Sequence, residues 1–253
     1  MQNLKPKKYL GQHFLTDLSV AQKIVGLLSA PPSATVIEIG PGQGVLTAFL
    51  FEKYPSLKLL EVDPEAVTYI QTQFAKYSPD IIHQDVLKWN PAENLDAETY
   101  FISNLPYNIS SPFFFLMLEN LAQVKEGVFM IQKEVAERIC AGKGSKTYGI
   151  LSVLLGAYFN LKYEFSVPPH VFRPPPKVMS GVIRMVKKEV LPDVDFPQFK
   201  QLVKAAFNQR RKTLRNALKG IELNDFPEKE EWLSLRAEQL SVDDFVRLAR
   251  EMR

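Results

Sequence analysis

The sequence predicts an α/β fold: a mostly parallel, doubly wound sheet with an antiparallel edge hairpin, followed by a small all-helical domain. Three observations carry this. Short apolar runs alternate with helical patterns from Thr35 to about Ala141. The first run ends in a glycine-rich turn, Gly40-Pro41-Gly42-Gln43-Gly44, that opens a helix. From about Leu191-Pro192 the strand signals stop and helical periodicity alone remains. The boundaries follow: a basic N-terminal arm over 1–16, an α/β domain over 17–190 and a helical domain over 191–253.

Each element has a local reason. Val20, Ile24, Leu27 and Leu28 share one face of a helix that starts from Asp17 and is broken by Pro31-Pro32-Ser33. Strands follow at Thr35–Ile39, Leu57–Val62, around Ile81-Ile82, at Thr99–Ser103 and at Val128–Ile131, with helices between them. Asp63 before Pro64 is an N-cap with proline at the first helical position. A helix is predicted near Tyr148–Phe159. The runs Lys162–Val167 and Val178–Val186 are joined by a proline-rich loop rather than a helix, which predicts the edge hairpin. In the C-terminal domain the pattern predicts helices at Pro197–Phe207, Arg211–Leu218, Lys229–Leu235 and Val242–Met252.

Composition narrows the function classes. The chain has 253 residues, 46% hydrophobic, enough to bury a sizeable core. A net charge of +3 allows a nucleic-acid partner without demanding one. A single cysteine, Cys140, excludes an internal disulfide, and with His13, His83 and His170 far apart no metal site is expected. Met1–Lys8 lacks the apolar region of a secretion signal, and no uninterrupted apolar run reaches membrane-spanning length. The expected compartment is the cytoplasm.

Four constellations carry chemistry. Gly40, Gly42 and Gly44 follow the first strand, where glycines let the backbone approach a ligand beyond the strand ends. Their spacing is not that of the dinucleotide binders, which favours a nucleoside without a pyrophosphate. Glu61-Val62-Asp63 ends the second strand, where an acid binds ribose hydroxyls. Glu61 is the choice because Asp63 suits the N-cap; the alternative is that both acids only serve the helix start. In Gln84-Asp85-Val86, the Asp85 carboxylate suits an adenine amine and Val86 suits the ring face. Asn104-Leu105-Pro106-Tyr107 closes another strand. Its amide and backbone oxygens can accept the two hydrogens of an exocyclic amine while Tyr107 stacks on the ring, which is what methylation of adenine N6 requires. The plainer alternative is a proline turn with a core tyrosine.

In order along the chain stand Gln-His-Phe-Leu, Glu-Ile-Gly-Pro-Gly-Gln-Gly, Glu-Val-Asp, Gln-Asp-Val, Asn-Leu-Pro-Tyr-Asn-Ile-Ser and Phe-Arg-Pro-Pro-Pro-Lys-Val. The set resembles the ribosomal RNA adenine N6-dimethyltransferases, most of all their bacterial small-subunit branch. The resemblance implies a class I, Rossmann-like fold and S-adenosylmethionine as methyl donor. It implies N6,N6-dimethylation of two adjacent adenines in the 3′-terminal hairpin loop of small-subunit ribosomal RNA, on a pre-30S particle, by a monomer. His13 and Leu15 would then contact the cofactor, Gly40 its methionine part, Glu61 the ribose and Asp85 the adenine amine. Asn104 would touch both cofactor and target base. Tyr107 would stack on one face of the flipped adenine and Phe172 on the other; by sequence alone Phe172 is a loop aromatic covering the core.

The stretch Lys204–Lys219 holds six cations and no acid, and Arg210, Arg211, Lys212 and Arg215 in it suit RNA phosphates. Lys5, Lys7 and Lys8 offer a second contact. Gly142-Lys-Gly-Ser-Lys-Thr147 follows a helix and lacks Walker spacing, so it is not a phosphate loop of that kind. The rival readings are a large-subunit RNA methylase of the antibiotic-resistance type, a non-catalytic ribosome assembly factor and a nicotinamide oxidoreductase. The last lacks its fingerprint.

Overall fold

The computed structural model describes residues 4–95 and 98–252; the first three residues of the arm, Asp96, Ala97 and Arg253 lie outside the described residues. The strands are β1 (Phe14–Leu15), β2 (Val36–Ile39), β3 (Leu57–Glu61), β4 (Asp80–His83), β5 (Thr99–Asn104), β6 (Val124–Gln132), β7 (Phe159–Val167), β8 (Phe172–Arg173) and β9 (Ser180–Lys187). The α-helices are α1 (Leu18–Gly26), α2 (Val45–Lys53), α3 (Pro64–Gln73), α4 (Pro91–Asn94), α5 (Ser110–Glu119), α6 (Lys133–Ile139), α7 (Ile150–Tyr158), α8 (Phe196–Asn208), α9 (Leu214–Ala217), α10 (Lys229–Ser234) and α11 (Val242–Arg250). They form two compact units. One holds the chain up to Ala136 with Lys162–Lys187, the other Glu137–Leu161 with the chain from Lys188 onward.

The first unit is built on a seven-stranded sheet of order β4-β3-β2-β5-β6-β9-β7. Strands β2 to β6 run parallel to one another, with Glu38 opposite Leu59 on one side and Ile102 on the other. The edge hairpin enters with its second strand inward: β9 runs antiparallel to β6, and β7 takes the edge. Asp63 caps its helix as the sequence implies, its Oδ1 accepting the Glu65 amide at 3.0 Å, and the structure adds a cap at Asp17, whose Oδ1 accepts the amides of Ser19 and Val20 at 2.8 and 3.1 Å. The arm is not wholly irregular, because β1 pairs antiparallel with β8, Leu15 opposite Phe172. On β6, the Phe129 ring fills the space beside Gly127 and meets Phe113 and Phe114 of α5 edge-on at 5.2 and 5.5 Å.

The second unit is helical. Tyr158 at the end of α7 lies edge-on to Phe196 and Phe199 of α8, and Tyr148 edge-on to Phe207, which stacks on Phe245 of α11. Through these contacts α7, read from sequence within 17–190, clusters with the C-terminal helices. One predicted helix is corrected. Over Arg211–Leu218 the chain first makes a turn: Gln209 leaves the helical region, the Lys212 amide donates to the Gln209 carbonyl at 2.8 Å, and Thr213 is extended before the short α9. The apolar spacing of Leu214 and Leu218 had carried the periodicity through a turn that backbone hydrogen bonds close locally.

Phe129→Ala removes a fully buried ring from the centre of the α5–β6 cluster. It is expected to lower unfolding free energy by about 3–5 kcal/mol in denaturant titration.

Candidate active site

The carboxyl ends of β4, β3, β2 and β5 lie side by side, and the loops that leave them converge. The Gly40 amide donates to the Leu60 carbonyl at 2.8 Å and the Gln84 amide to the Glu61 carbonyl at 3.0 Å, so each loop is tied to its neighbour. Between β2 and β5 the order of the sheet reverses, which leaves a crevice beyond the strand ends. There the first unit encloses a cavity of about 250 Å³. Its walls hold His13, Leu15, Gly40, Gly42, Glu61, Asp85, Val86, Asn104, Leu105, Pro106 and Tyr107. These residues, read as site residues from widely separated stretches of sequence, are thus brought together.

The glycine turn lies flat against the space. Gly40 and Gly42 have φ of +64° and +54°. Nothing lies within 4 Å of where a Gly40 Cβ would be, so its backbone faces the cavity bare. Glu38, two residues before Gly40, is buried and receives the Thr47 hydroxyl at 2.6 Å. Burial pushes its carboxyl up to about 8, against the pull of the Thr47 hydrogen bond and with the help of the nearby Glu61 charge. Burial also raises Glu61, while backbone amides of Asp63, Gly42 and Val62 stabilise its ionised form. Asp85 Oδ1 accepts the Leu87 amide at 3.0 Å, and Val86 is buried beside it.

Asn104 ends β5 with a defined orientation. Its Nδ2 donates to the His13 carbonyl at 3.0 Å, and since that partner only accepts, Oδ1 is the oxygen left to accept. The Leu105 amide donates to the Met130 carbonyl at 3.0 Å, and no described hydrogen bond occupies the Leu105 carbonyl. Tyr107 is fixed twice: its hydroxyl lies 2.7 Å from Ser180 Oγ, and its ring stacks on His13 at 5.6 Å. His13 is held in turn at 2.7 Å from the Pro174 carbonyl, so its Nδ1 carries the proton and donates.

Phe172 is not brought to the cavity. It is buried in the core cluster with Leu15, Val167 and Val171, the placement that sequence alone gave it. Lys7 also departs from its expected role as an exposed RNA contact. Its Nζ lies 2.7 Å from Asp63 Oδ1 and 3.1 Å from Glu65, while Gln12 Nε2 donates to Asp63 Oδ2 at 3.2 Å. Asp63 therefore does more than cap α3: it straps the arm across the cavity. Burial pushes the Asp63 carboxyl up, but Lys7, Gln12 and the Glu65 amide together hold it below the usual carboxylate value. No short-range signal marks Lys7 and Asp63 as partners, because they are 56 residues apart.

In the second unit the four predicted RNA-binding residues divide. Arg210 donates to the Lys146 carbonyl and faces Glu238, and Arg215 pairs with Glu230 at 2.6 Å. Arg211 and Lys212 are exposed and make no ion pair among the described residues. No cluster of three or more His, Cys, Asp or Glu among the described residues is placed to hold a metal ion. Among the described residues, no helix is long and apolar enough to cross a membrane.

The sheet order, the glycine turn and the strand-end carboxylate define a class I methyltransferase fold. The family model described as Ribosomal RNA adenine dimethylase matches residues 3–253. Ribosomal RNA small subunit methyltransferase A of Bacteroides thetaiotaomicron is 50% identical over 255 residues, covering 100% of this chain and 96% of that protein. Among solved structures, a dimethyladenosine transferase from Plasmodium falciparum superposes with a TM-score of 0.81 at 24% identity, covering 93% of this chain and 96% of the other. The 23S rRNA methyltransferase ErmE superposes with a TM-score of 0.71 at 21% identity, covering 94% and 99%. The chain belongs to the ribosomal RNA adenine dimethylase family.

The strap makes a ligand-free prediction. In Lys7→Met, amide exchange across residues 10–16 is expected to rise roughly two- to fivefold, the scale of removing one ion pair, with β2 and β5 unchanged. Hydrogen exchange read by mass spectrometry checks it; unchanged exchange means that the β1–β8 pairing holds the arm alone.

Proposed function

We propose that this protein transfers methyl groups from S-adenosylmethionine to N6 of two adjacent adenines in the 3′-terminal hairpin loop of small-subunit ribosomal RNA. One observation carries the reading. Asn104 Oδ1 and the Leu105 carbonyl, two acceptors without a described partner, stand in the same cavity as the Gly40 turn and the Glu61 carboxylate. The residues fit the cofactor: Gly40 leaves bare backbone for its methionine part, Glu61 suits the ribose, and Asp85 and Val86 suit the adenine edge and face.

When bound, the sulfonium cofactor supplies an electrophilic methyl group. The chain's own contribution is placement. Asn104 Oδ1 and the Leu105 carbonyl take the two hydrogens of the adenine amine, which frees the nitrogen lone pair from conjugation with the ring. The proline at 106 keeps that carbonyl out of a ladder. Tyr107, locked by Ser180 and His13, offers its ring to the flipped base, worth about 1–3 kcal/mol of stacking against the cost of extrusion. Adenines in a single-stranded loop cost least to present. Well-oriented reactants gain roughly 7–11 kcal/mol over free ones, so no side-chain base is required; the proton leaves after transfer. Phe172, buried against β1, has no part in this reading. The enzyme would act in the cytoplasm, as a monomer, on a pre-30S particle.

The small-subunit target is favoured over a large-subunit one by the 50% identity over the full chain, which the ErmE-like fold does not match. An assembly factor without catalysis is disfavoured because the acceptors at Asn104 and Leu105 are held ready.

Two outcomes are expected. Incubation of unmethylated small ribosomal subunits with labelled S-adenosylmethionine yields N6,N6-dimethyladenosine by nucleoside mass analysis, and Asn104→Ala lowers kcat/KM roughly a hundredfold or more. Binding without methyl transfer would leave an assembly factor, and transfer to large-subunit RNA alone would make the resistance-type enzyme correct. Second, Glu38 is protonated at neutral pH in the free protein, and a cationic ligand favours its ionised form. Binding then releases a proton, so cofactor affinity rises roughly tenfold between about pH 7 and about pH 9. Calorimetric titration across that range checks this, and Glu38→Gln flattens the profile.

A further inference from the structure

The loop from Gly142 to Thr147 lies outside the cavity wall. It is built firmly. The Ser145 amide donates to the Gly142 carbonyl at 3.3 Å, the Tyr148 amide to the Ser145 carbonyl at 3.2 Å, and the Ser145 and Thr147 hydroxyls lie 2.8 Å apart. It is also fastened to the turn at 209–213. Arg210 of that turn donates to the Lys146 carbonyl, and Arg210 and the Gly144 amide both meet Glu238, the latter through the Glu238 carbonyl at 2.7 Å. Arg210 thus spends its guanidinium as a strut between two loops, not as a free cation.

The strut gathers charge. Lys143 and Lys146 on one loop and Arg211 and Lys212 on the other are exposed, and none makes an ion pair among the described residues. Around Gly142 and Gly144 nothing lies within 4 Å of a Cβ position, so a ligand can approach the backbone. None of the large apolar side chains exposed among the described residues falls on either loop, so there is no ring on which single-stranded bases could stack. Four unpaired cations on two fastened loops suit the phosphates of a nucleic-acid duplex, which are contacted by charge and not by base stacking.

We propose that the 142–147 loop and the 209–213 turn form one duplex-RNA phosphate-binding surface, with Lys143 and Lys146 as contacts and Arg210 as the positioning residue that joins them. The proposal rests on the ribosomal RNA reading above. Its test is the salt dependence of binding to unmethylated small ribosomal subunits, measured with full-length protein. Lys143→Gln with Lys146→Gln is expected to weaken binding and to reduce the slope of log Kd against log salt by about 2, near one for each phosphate no longer neutralised. Lys143→Arg with Lys146→Arg restores both. An unchanged slope, or weaker binding at an unchanged slope, overturns the loop's role and would point to a protein partner there. Arg211→Gln with Lys212→Gln separates the two readings. If the parent and this variant bind alike without salt dependence, the RNA reading itself fails.

Discussion

The reversal of strand order between β2 and β5 is the constraint on which the site depends. Because β2 feeds toward β3 and β4 on one side while β5 and β6 build the other, the loops leaving β2 and β5 part. The acids, the glycine turn and the amide of the site are then strand-end residues: Glu38 and Gly40 at β2, Glu61 at β3, Asp85 after β4, Asn104 at β5. Their separations are set by strand spacing, about 4.8 Å per step, rather than by loop conformation. This makes the site rigid where a displacement reaction needs rigidity.

Two carboxylates sit buried at this point, which is costly unless something compensates. The compensation differs. Glu61 is met by three backbone amides from its own loop and the glycine turn, so its position is set by main chain rather than by other side chains. Glu38 has one hydroxyl partner and resolves its burial by holding a proton. One acid is thus fixed in place by amides, while burial holds the other toward its neutral form.

What the sequence made legible is what short-range chemistry determines. The glycine turn, the Asp63 cap and the Asn-Leu-Pro-Tyr strand end each announce themselves within a few residues, and together they located most of the cavity wall. What escaped is non-local or ambiguous in period. Asp63 read as a cap is also the anchor for Lys7 and Gln12, since a carboxylate with two oxygens can serve two masters and only the fold shows the second. The β1–β8 pair joins segments more than 150 residues apart by two residues each, below any periodicity signal. The same pairing covers Phe172. The turn at 209–213 was hidden by leucines spaced as in a helix, and with it the internal use of Arg210 and Arg215.

The strap and the basic loops share a logic that charge counting cannot detect. A net charge of +3 spread over 253 residues describes neither. Lys7, Arg210 and Arg215 are spent on carboxylates or carbonyls of this chain. A cation whose partner is buried, as Lys7 has in Asp63, is screened little by salt, whereas cations left unpaired on a surface lose their attraction as ionic strength rises. The useful division in this protein is therefore between cations with and without an internal partner.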